Sequence, residues 1–170
     1  NVGDLWDSGS VASSAQSSVL YAGAALRTGT KYRWQVRIAD HTGKVSPYSA
    51  VATFETGLFS AADWQASSWI GGDYYLLRDD FVLDAAKTIA RARVYIASLG
   101  WNEVLLNGQK VGLDVLNTGY TELGKRVLYA TYDVKDLLHS TTNGIGIWLG
   151  SGCYGRFVCP VLRLPFHKAA

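Results

Sequence analysis

The feature that most constrains the fold is an alternating strand pattern followed by an Asn-Gly pair. Between residues 93 and 98, Val94 and Ile96 recur on one face with a period of two, which is typical of a half-buried strand. After a second strand-like run, Asn107-Gly108 supplies the positive φ angles that a type I′ turn requires. The sequence therefore predicts an antiparallel hairpin with Asn107-Gly108 at its tip.

Residues 76–170 continue this pattern and indicate a jelly-roll-like β-sandwich. Asp133 is expected to cap one helical turn over residues 134–138, and Asn143-Gly144 is expected to form a second hairpin-type turn. After it, Ile145 and its alternate neighbours face one side and Trp148 faces the other. The predicted strands are residues 77–83, 92–99, 103–107, 110–112, 127–133 and 145–149. After them two alternatives stay open: the sandwich is truncated and short of strands, or it is closed by a compressed strand such as residues 161–164.

Residues 1–57 predict a smaller module with strands at residues 5–6, 18–21, 32–39 and 51–55. In the third of these, every second side chain is apolar, which predicts a strand with one buried face; the apolar members are Tyr32, Trp34, Val36 and Ile38. Four strands are fewer than the seven of a fibronectin-III-like sandwich, so the first three are expected upstream of Asn1. Residues 58–75 predict a packed connector that carries Trp64, Trp69, Tyr74 and Tyr75.

Charge and hydropathy exclude several classes of partner. Sixteen basic and fourteen acidic residues give a net charge of +2 without clusters, so neither nucleic acid nor an anionic membrane is expected to bind. No apolar run is long enough to predict a transmembrane helix. The chain lacks methionine and begins with Asn, which predicts that it is a piece of a longer product.

No arrangement of residues predicts catalysis by these 170 residues alone. Asp79 and Asp80 are expected on opposite faces of one strand, whereas an inverting glycosidase needs two facing carboxyl groups about 6.5–9.5 Å apart. No phosphate-binding loop, dinucleotide fingerprint or metal-ligand spacing is present. Cys153 and Cys159 leave two alternatives open, a disulfide in an exported protein or two buried thiols. Secretion is favoured without being fixed by the sequence.

An ordered series of motifs resembles the N-terminal region of α-L-rhamnosidases of glycoside hydrolase family 78. The motifs are residues 5–9, 29–40, 62–70, 76–81, 106–108, 125–138 and 148–152. The resemblance implies a fibronectin-III-like module followed by a β-sandwich, with the catalytic carboxylates in a helical barrel elsewhere. A rhamnose-binding module in this family uses calcium with adjacent Asp and Asn. Here Asp114 is separated from Asn117, so no cofactor is expected and calcium is kept as an alternative.

A sugar site is the remaining chemical hypothesis. A pyranose ring stacks on aromatic side chains and its hydroxyls bond to amides and carboxylates. Two short runs fit this description and should meet at one end of the sheet if the hairpin forms; they supply Trp101, Asn102, Glu103, Asp114, Asn117 and Tyr120. The alternative is structural, with Trp101 filling the core and Asn117 completing a turn. The expected ligand is L-rhamnose or a rhamnosylated glycan.

The sequence thus predicts an all-β chain of two β-sandwich modules, a partial fibronectin-III-like one over residues 1–57 and a jelly-roll-like one over residues 76–170, joined by residues 58–75. We expect a carbohydrate-recognising accessory fragment of a rhamnosidase-like protein. Two alternatives stay open: a piece of an intact rhamnosidase that is active only with its barrel, and a lectin-like structural protein that forms homo-oligomers through open sheet edges.

Overall fold

Apart from two short 3-10 helices, the regular secondary structure that the computed structural model describes consists of β-strands, which confirms the all-β prediction. The structure describes residues 3–64, 67–71, 75–151 and 160–163. The chain divides into two compact units, Asn1–Trp64 and Gln65–Ala170. Tyr74, Cys153 and Cys159 lie outside the described residues. Within the described ranges, no helix is long and apolar enough to cross a membrane.

The first unit is built on one antiparallel strand pair. Strand β1 (Lys31–Trp34) pairs with β2 (Ala52–Glu55), and Tyr32 lies opposite Phe54. These two rings stack with centroids 5.4 Å apart. A short 3-10 helix follows at Ala61–Trp64. The predicted strands at residues 5–6 and 18–21 are wrong, because the backbone there forms no ladder.

The apolar face predicted along residues 32–39 is present but is not buried. The regular strand ends at Trp34, and beyond it Ile38 contacts the neighbouring segment through bonds to the backbone and side chain of Ser46. Trp34 is 52% exposed and Ile38 is 71% exposed. The prediction of burial is wrong, because within residues 3–64 a single strand pair offers no second sheet against which this face could pack.

The second unit contains two antiparallel sheets. The strands are β3 (Leu76–Val82), β4 (Arg93–Ser98), β5 (Trp101–Leu106), β6 (Gln109–Lys110), β7 (Tyr129–Asp133), β8 (Thr142–Gly150) and β9 (Pro160–Arg163). The four-stranded sheet has the order β3-β8-β5-β6 and the three-stranded sheet has the order β7-β4-β9. The first six lie close to the predicted strand positions, and β9 corresponds to the alternative in which a compressed strand follows them.

The core of the second unit lies between its two sheets. Apolar side chains from β4 on one sheet and from β5 and β8 on the other form one buried cluster. Its members are Ala92, Val94, Ile96, Val104, Leu106, Val111, Val134, Ile145 and Ile147. Each fully buried aliphatic side chain of this kind stabilises the fold by about 1.5–3 kcal/mol. The alternation read from the sequence is therefore what joins the sheets into a sandwich.

The hairpin predicted at Asn107-Gly108 is confirmed. Both residues have positive φ, 51° and 80°, and Leu106 lies opposite Gln109 across the turn. The Asn107 side chain also donates a hydrogen bond to the carbonyl of Leu137 at 2.8 Å. The predicted helical turn is likewise present as a 3-10 helix at Lys135–Leu137, and the Asp133 carboxylate accepts a bond from its first N–H.

The turn predicted at Asn143-Gly144 is wrong, because both residues lie inside β8. They pair with Phe81 and Asp80 of β3. The Asn143 side chain is 1% exposed; its oxygen accepts bonds from the His139 N–H and from the Asn107 amide, at 2.7 and 2.8 Å. Its nitrogen donates to the carbonyls of His139 and Thr141. A buried amide with four bonds thus replaces the local turn.

Candidate carbohydrate-binding site

The structure places the six predicted site residues in three different environments. The two aromatic residues line a surface cleft. The two amides and one carboxylate belong to a hydrogen-bond network beside it. The remaining carboxylate lies on the outer face of the four-stranded sheet. Of the six residues, only Trp101 and Tyr120 therefore line the cleft against which a sugar ring could stack.

The cleft lies where β4 turns into β5, beside the loop that follows β6. It encloses a volume of only about 20 Å³ and is otherwise open to solvent, and it is lined by Ser98, Leu99, Gly100, Trp101, Thr118, Gly119, Tyr120 and Leu123. Trp101 is 40% exposed and Tyr120 is 77% exposed. Two exposed aromatic rings beside hydroxyl groups form the combination that stacks a sugar ring and bonds its hydroxyls.

Two hydroxyls of the cleft retain capacity to accept hydrogen bonds. The Ser98 hydroxyl donates to the Gly100 carbonyl at 2.8 Å and accepts one bond from Asn102. The Thr118 hydroxyl donates to the Ser98 carbonyl at 3.4 Å. A hydroxyl oxygen has two lone pairs in addition to its donor, so each oxygen keeps an unused lone pair. Both residues are buried, Ser98 at 4% and Thr118 at 8% exposed, and they form the floor of the cleft.

Asn102 is a structural residue that fixes the far side of the cleft. Its side chain is 8% exposed, and its amide donates to the Ser98 hydroxyl at 2.6 Å and to the Asn117 carbonyl at 3.2 Å. Its backbone N–H bonds to the same carbonyl at 2.9 Å. Both amide protons are thus used inside the protein, and Asn102 holds the loop against β5.

Asp114 and Asn117 are joined by Tyr132 of β7. The Tyr132 hydroxyl donates to the Asp114 carboxylate at 2.9 Å and accepts a bond from the Asn117 amide. Burial, and then the hydrogen bond and negative charge of Asp114, raise the pKa of Tyr132 to about 12. At Gly112, φ is +75°, and a Cβ would lie 2.4 Å from the Tyr132 ring. The absence of a side chain at Gly112 therefore lets the ring reach the loop.

Glu103 lies away from the cleft, on the outer face of the four-stranded sheet. Its carboxylate pairs with Lys110 of β6 at 2.8 Å, and both side chains are about one-third exposed. It lies opposite Trp148 of β8, and Trp148 is 56% exposed. Glu103 is thus accessible to a ligand on the sheet face and not to one confined to the cleft.

Sequence reasoning missed three residues that shape this region. Tyr132 was read only as a member of a strand, and its role depends on a loop fifteen residues earlier in the chain. Thr118 is 8% exposed at the cleft floor, a position that only tertiary structure defines. Trp148 was correctly predicted to face away from Ile147, and an outward-facing Trp in a strand was the available signal.

The calcium alternative concerns Asp114 and Asn117. In the described part of the chain, no group of three or more His, Cys, Asp or Glu side chains is arranged to hold an ion. Asp114 and Asn117, the residues closest to the calcium pattern, both bond to Tyr132. Calcium prefers six to eight oxygen ligands, and this pair supplies few of them.

Two family models match the chain, one for each unit. Residues 1–60 match the N-terminal immunoglobulin domain of Rha78A-like proteins. Residues 87–160 match the N-terminal domain of α-L-rhamnosidase. The two matches occur in the order that the sequence motifs predicted.

The similar proteins are α-L-rhamnosidases. One from Formosa agariphila is 36% identical over 88% of this chain, and one from Alteromonas sp. (strain LOR) is 34% identical over 97%. The solved α-L-rhamnosidase of Dictyoglumus thermophilum matches 98% of the chain with a TM-score of 0.82 and 34% identity, and that of Aspergillus terreus matches 82% with a TM-score of 0.71 and 29% identity. The chain spans 18% and 19% of the two relatives and 22% and 19% of the two solved chains.

Proposed function

Because the chain belongs to the N-terminal region of the α-L-rhamnosidase family, over residues 1–60 and 87–160, we propose that it is a carbohydrate-recognising accessory part of such an enzyme. Its ligand is L-rhamnose or a rhamnosylated glycan. The chain spans about a fifth of the length of the relatives that it matches. We assign the hydrolytic step to parts of the enzyme outside these 170 residues.

The observation that carries this proposal is the cleft that Trp101 and Tyr120 line. L-Rhamnose is a 6-deoxy sugar, so it carries a methyl group in addition to the apolar face of its ring. Such a ligand gains from aromatic contact. The enclosed volume of about 20 Å³ holds little more than one water, so the sugar lies across the open mouth of the cleft, against the two exposed aromatic rings.

The support of the cleft favours binding with little rearrangement. Tyr132 fixes the loop through Asp114 and Asn117, and Asn102 fixes it through the Asn117 backbone. A wall held in this way costs less ordering entropy when a ligand binds. Asp114 and Asn117 therefore act by positioning the loop, and Trp101 and Tyr120 make the direct contacts.

Calorimetric titration with L-rhamnose tests the proposal. We expect a Kd on the order of 1 mM, about 4 kcal/mol, because a small ligand on an open site gains little. Trp101→Ala should weaken binding beyond detection and leave the thermal midpoint nearly unchanged, since the side chain is partly exposed. Trp69→Ala is the control, because Trp69 is 52% exposed and lies outside the described strands.

Three results would contradict the proposal. If neither L-rhamnose nor a rhamnosylated glycan binds the intact chain, the cleft is not a sugar site. If Trp101→Ala instead lowers stability by about 3–5 kcal/mol, the value for emptying a core position, Trp101 serves packing. Unchanged binding in Trp101→Ala would place any sugar site elsewhere.

One observation favours a second candidate function, self-association. Trp34, Val36 and Ile38 of the first unit lie on one face and are each at least half exposed. An apolar face of this kind is a typical contact surface. Light scattering tests it: a concentration-dependent mass that falls to 18.5 kDa in Ile38→Lys supports it, and a monomer at all concentrations contradicts it.

A further inference from the structure

The outer face of the four-stranded sheet is unlike the core face. In β8 the positions that face away from the core are Thr142, Gly144, Gly146, Trp148 and Gly150, since Ile145 and Ile147 between them are buried. Three of these five positions have no side chain. The centre of the sheet is therefore a shallow lane of half-buried glycines, partly covered at Gly144 by the Asp80 carboxylate, from which the Trp148 indole protrudes.

A second tryptophan borders the same lane. Trp101 of β5 lies opposite Gly150, while Trp148 lies opposite Glu103, so the two tryptophans are diagonal neighbours on one face, about 7–8 Å apart. A Cβ at Gly150 would lie 3.3 Å from the Cβ and 3.5 Å from the ring of Trp101, which places the indole over this glycine. Both rings are exposed, at 40% and 56%.

Paired charges flank the two rings. Glu103 and Lys110 are 2.8 Å apart on one side, and Arg78 and Asp80 are 3.1 Å apart on the other. Leu76 lies across the ladder from Trp148 and extends the apolar strip. The four charges sum to zero, so the face attracts neither polyanions nor polycations. The carboxylates and the cationic groups of these four side chains can form hydrogen bonds with the hydroxyls of a sugar.

We propose that this face is a second carbohydrate-binding surface, which takes an extended neutral oligosaccharide. Trp148 and Trp101 stack on two of its sugar rings, and Glu103 and Lys110 bond to hydroxyls at the edge of the sheet. A protein occupant would have to remove four charged groups from water, which is costly, whereas sugar hydroxyls replace that water. Gly146, next to Trp148 on this face, adds no side chain there, whereas the space above Gly150 is taken by the Trp101 indole.

This inference rests on the proposed function, because Trp101 belongs both to the cleft and to the sheet face. A single sugar occupies the cleft at Trp101, and a longer chain extends from there to Trp148. Affinity should therefore rise with the length of the oligosaccharide. Trp148 is therefore expected to increase the affinity for oligosaccharides relative to that for L-rhamnose, and the single sugar is expected to bind without it.

The experiment titrates the intact chain with L-rhamnose and with α-linked rhamno-oligosaccharides of increasing length. The native chain is expected to bind the oligosaccharides roughly three- to tenfold more tightly than L-rhamnose, which is the contribution of one aromatic contact. Trp148→Ala should abolish that gain and leave the affinity for L-rhamnose and the thermal midpoint unchanged. Trp148→Phe should restore part of the gain, and Trp69→Ala should retain all of it.

The possible failures are distinguishable. If L-rhamnose binds through Trp101 and the gain with length is absent or persists in Trp148→Ala, the sheet-face surface is overturned and the cleft stands. If no sugar binds at all, both proposals fail. A third result would also overturn the inference: the chain self-associates, Trp148→Ala abolishes this association, and the affinity for oligosaccharides is unchanged. The face would then be a protein contact.

Discussion

Replacing Gly112 by alanine should destabilise the second unit far more than the same change in the hairpin. Gly112 has φ +75°, and its added Cβ would meet the Tyr132 ring at 2.4 and 2.8 Å. The left-handed backbone costs about 1–2 kcal/mol. Displacing the ring also removes two hydrogen bonds, to Asp114 and from Asn117, worth about 0.5–1.5 kcal/mol each. The free energy of unfolding should fall by about 2–5 kcal/mol in total.

Gly108→Ala is the matched control for this substitution. Gly108 has φ +80°, and nothing lies within 4 Å of an added Cβ, so it loses only the backbone contribution, about 1–2 kcal/mol. Hydrogen exchange at the amides of β4 and β5 measures the opening free energy of the second unit alone. Equal losses in the two variants would refute the contact between Gly112 and the Tyr132 ring.

Four further predictions follow from the same structure. Asn143→Ala should lower the free energy of unfolding by about 3 kcal/mol in urea titrations, because buried partners lose their bonds; a loss below about 0.5 kcal/mol, typical of a surface position, would contradict the network. The pKa of Tyr132 is raised from its ordinary value near 10 to about 12, so the neutral phenol stabilises the folded state fully at pH values below 10, and this stabilisation is lost as the pH rises towards 12. In pH-dependent unfolding, Tyr132→Phe should flatten this loss of stability. An unchanged slope would be evidence against it. Tyr132→Phe should also weaken L-rhamnose binding by loosening the loop, and equal affinity in a titration would show that the loop needs no such anchor. Finally, the chain alone should release no phenol from an aryl α-L-rhamnoside, and turnover that one of its own carboxylates controls would disprove this.

The fold of the second unit was largely readable from the sequence because local signals agreed with tertiary needs. Asn107-Gly108 forms the predicted turn, where positive φ angles and a tertiary bond of the Asn107 amide coincide. The same dipeptide at residues 143–144 was misleading. There, the Asn143 amide finds four partners in the interior, and the chain stays extended. Composition alone does not distinguish a turn amide from a buried one.

The candidate site was only partly predictable. Trp101 and Tyr120 were selected as aromatic residues near the hairpin, and both line the cleft; that they bind a sugar stays a prediction. The environment of Asn102 could not be inferred, because it depends on Ser98 and on the backbone of Asn117. In the first unit, periodicity identified the apolar face of β1, but periodicity does not show whether a second sheet covers that face.

Sugar binding in the cleft is tested most directly by nuclear magnetic resonance of the isotopically labelled chain during titration with L-rhamnose. The account predicts saturable shifts at the Trp101 indole N–H and at the amides of Gly100, Thr118 and Gly119, with none in residues 31–55 of the first unit. No saturable shift at these positions, or shifts confined to the first unit, would contradict it.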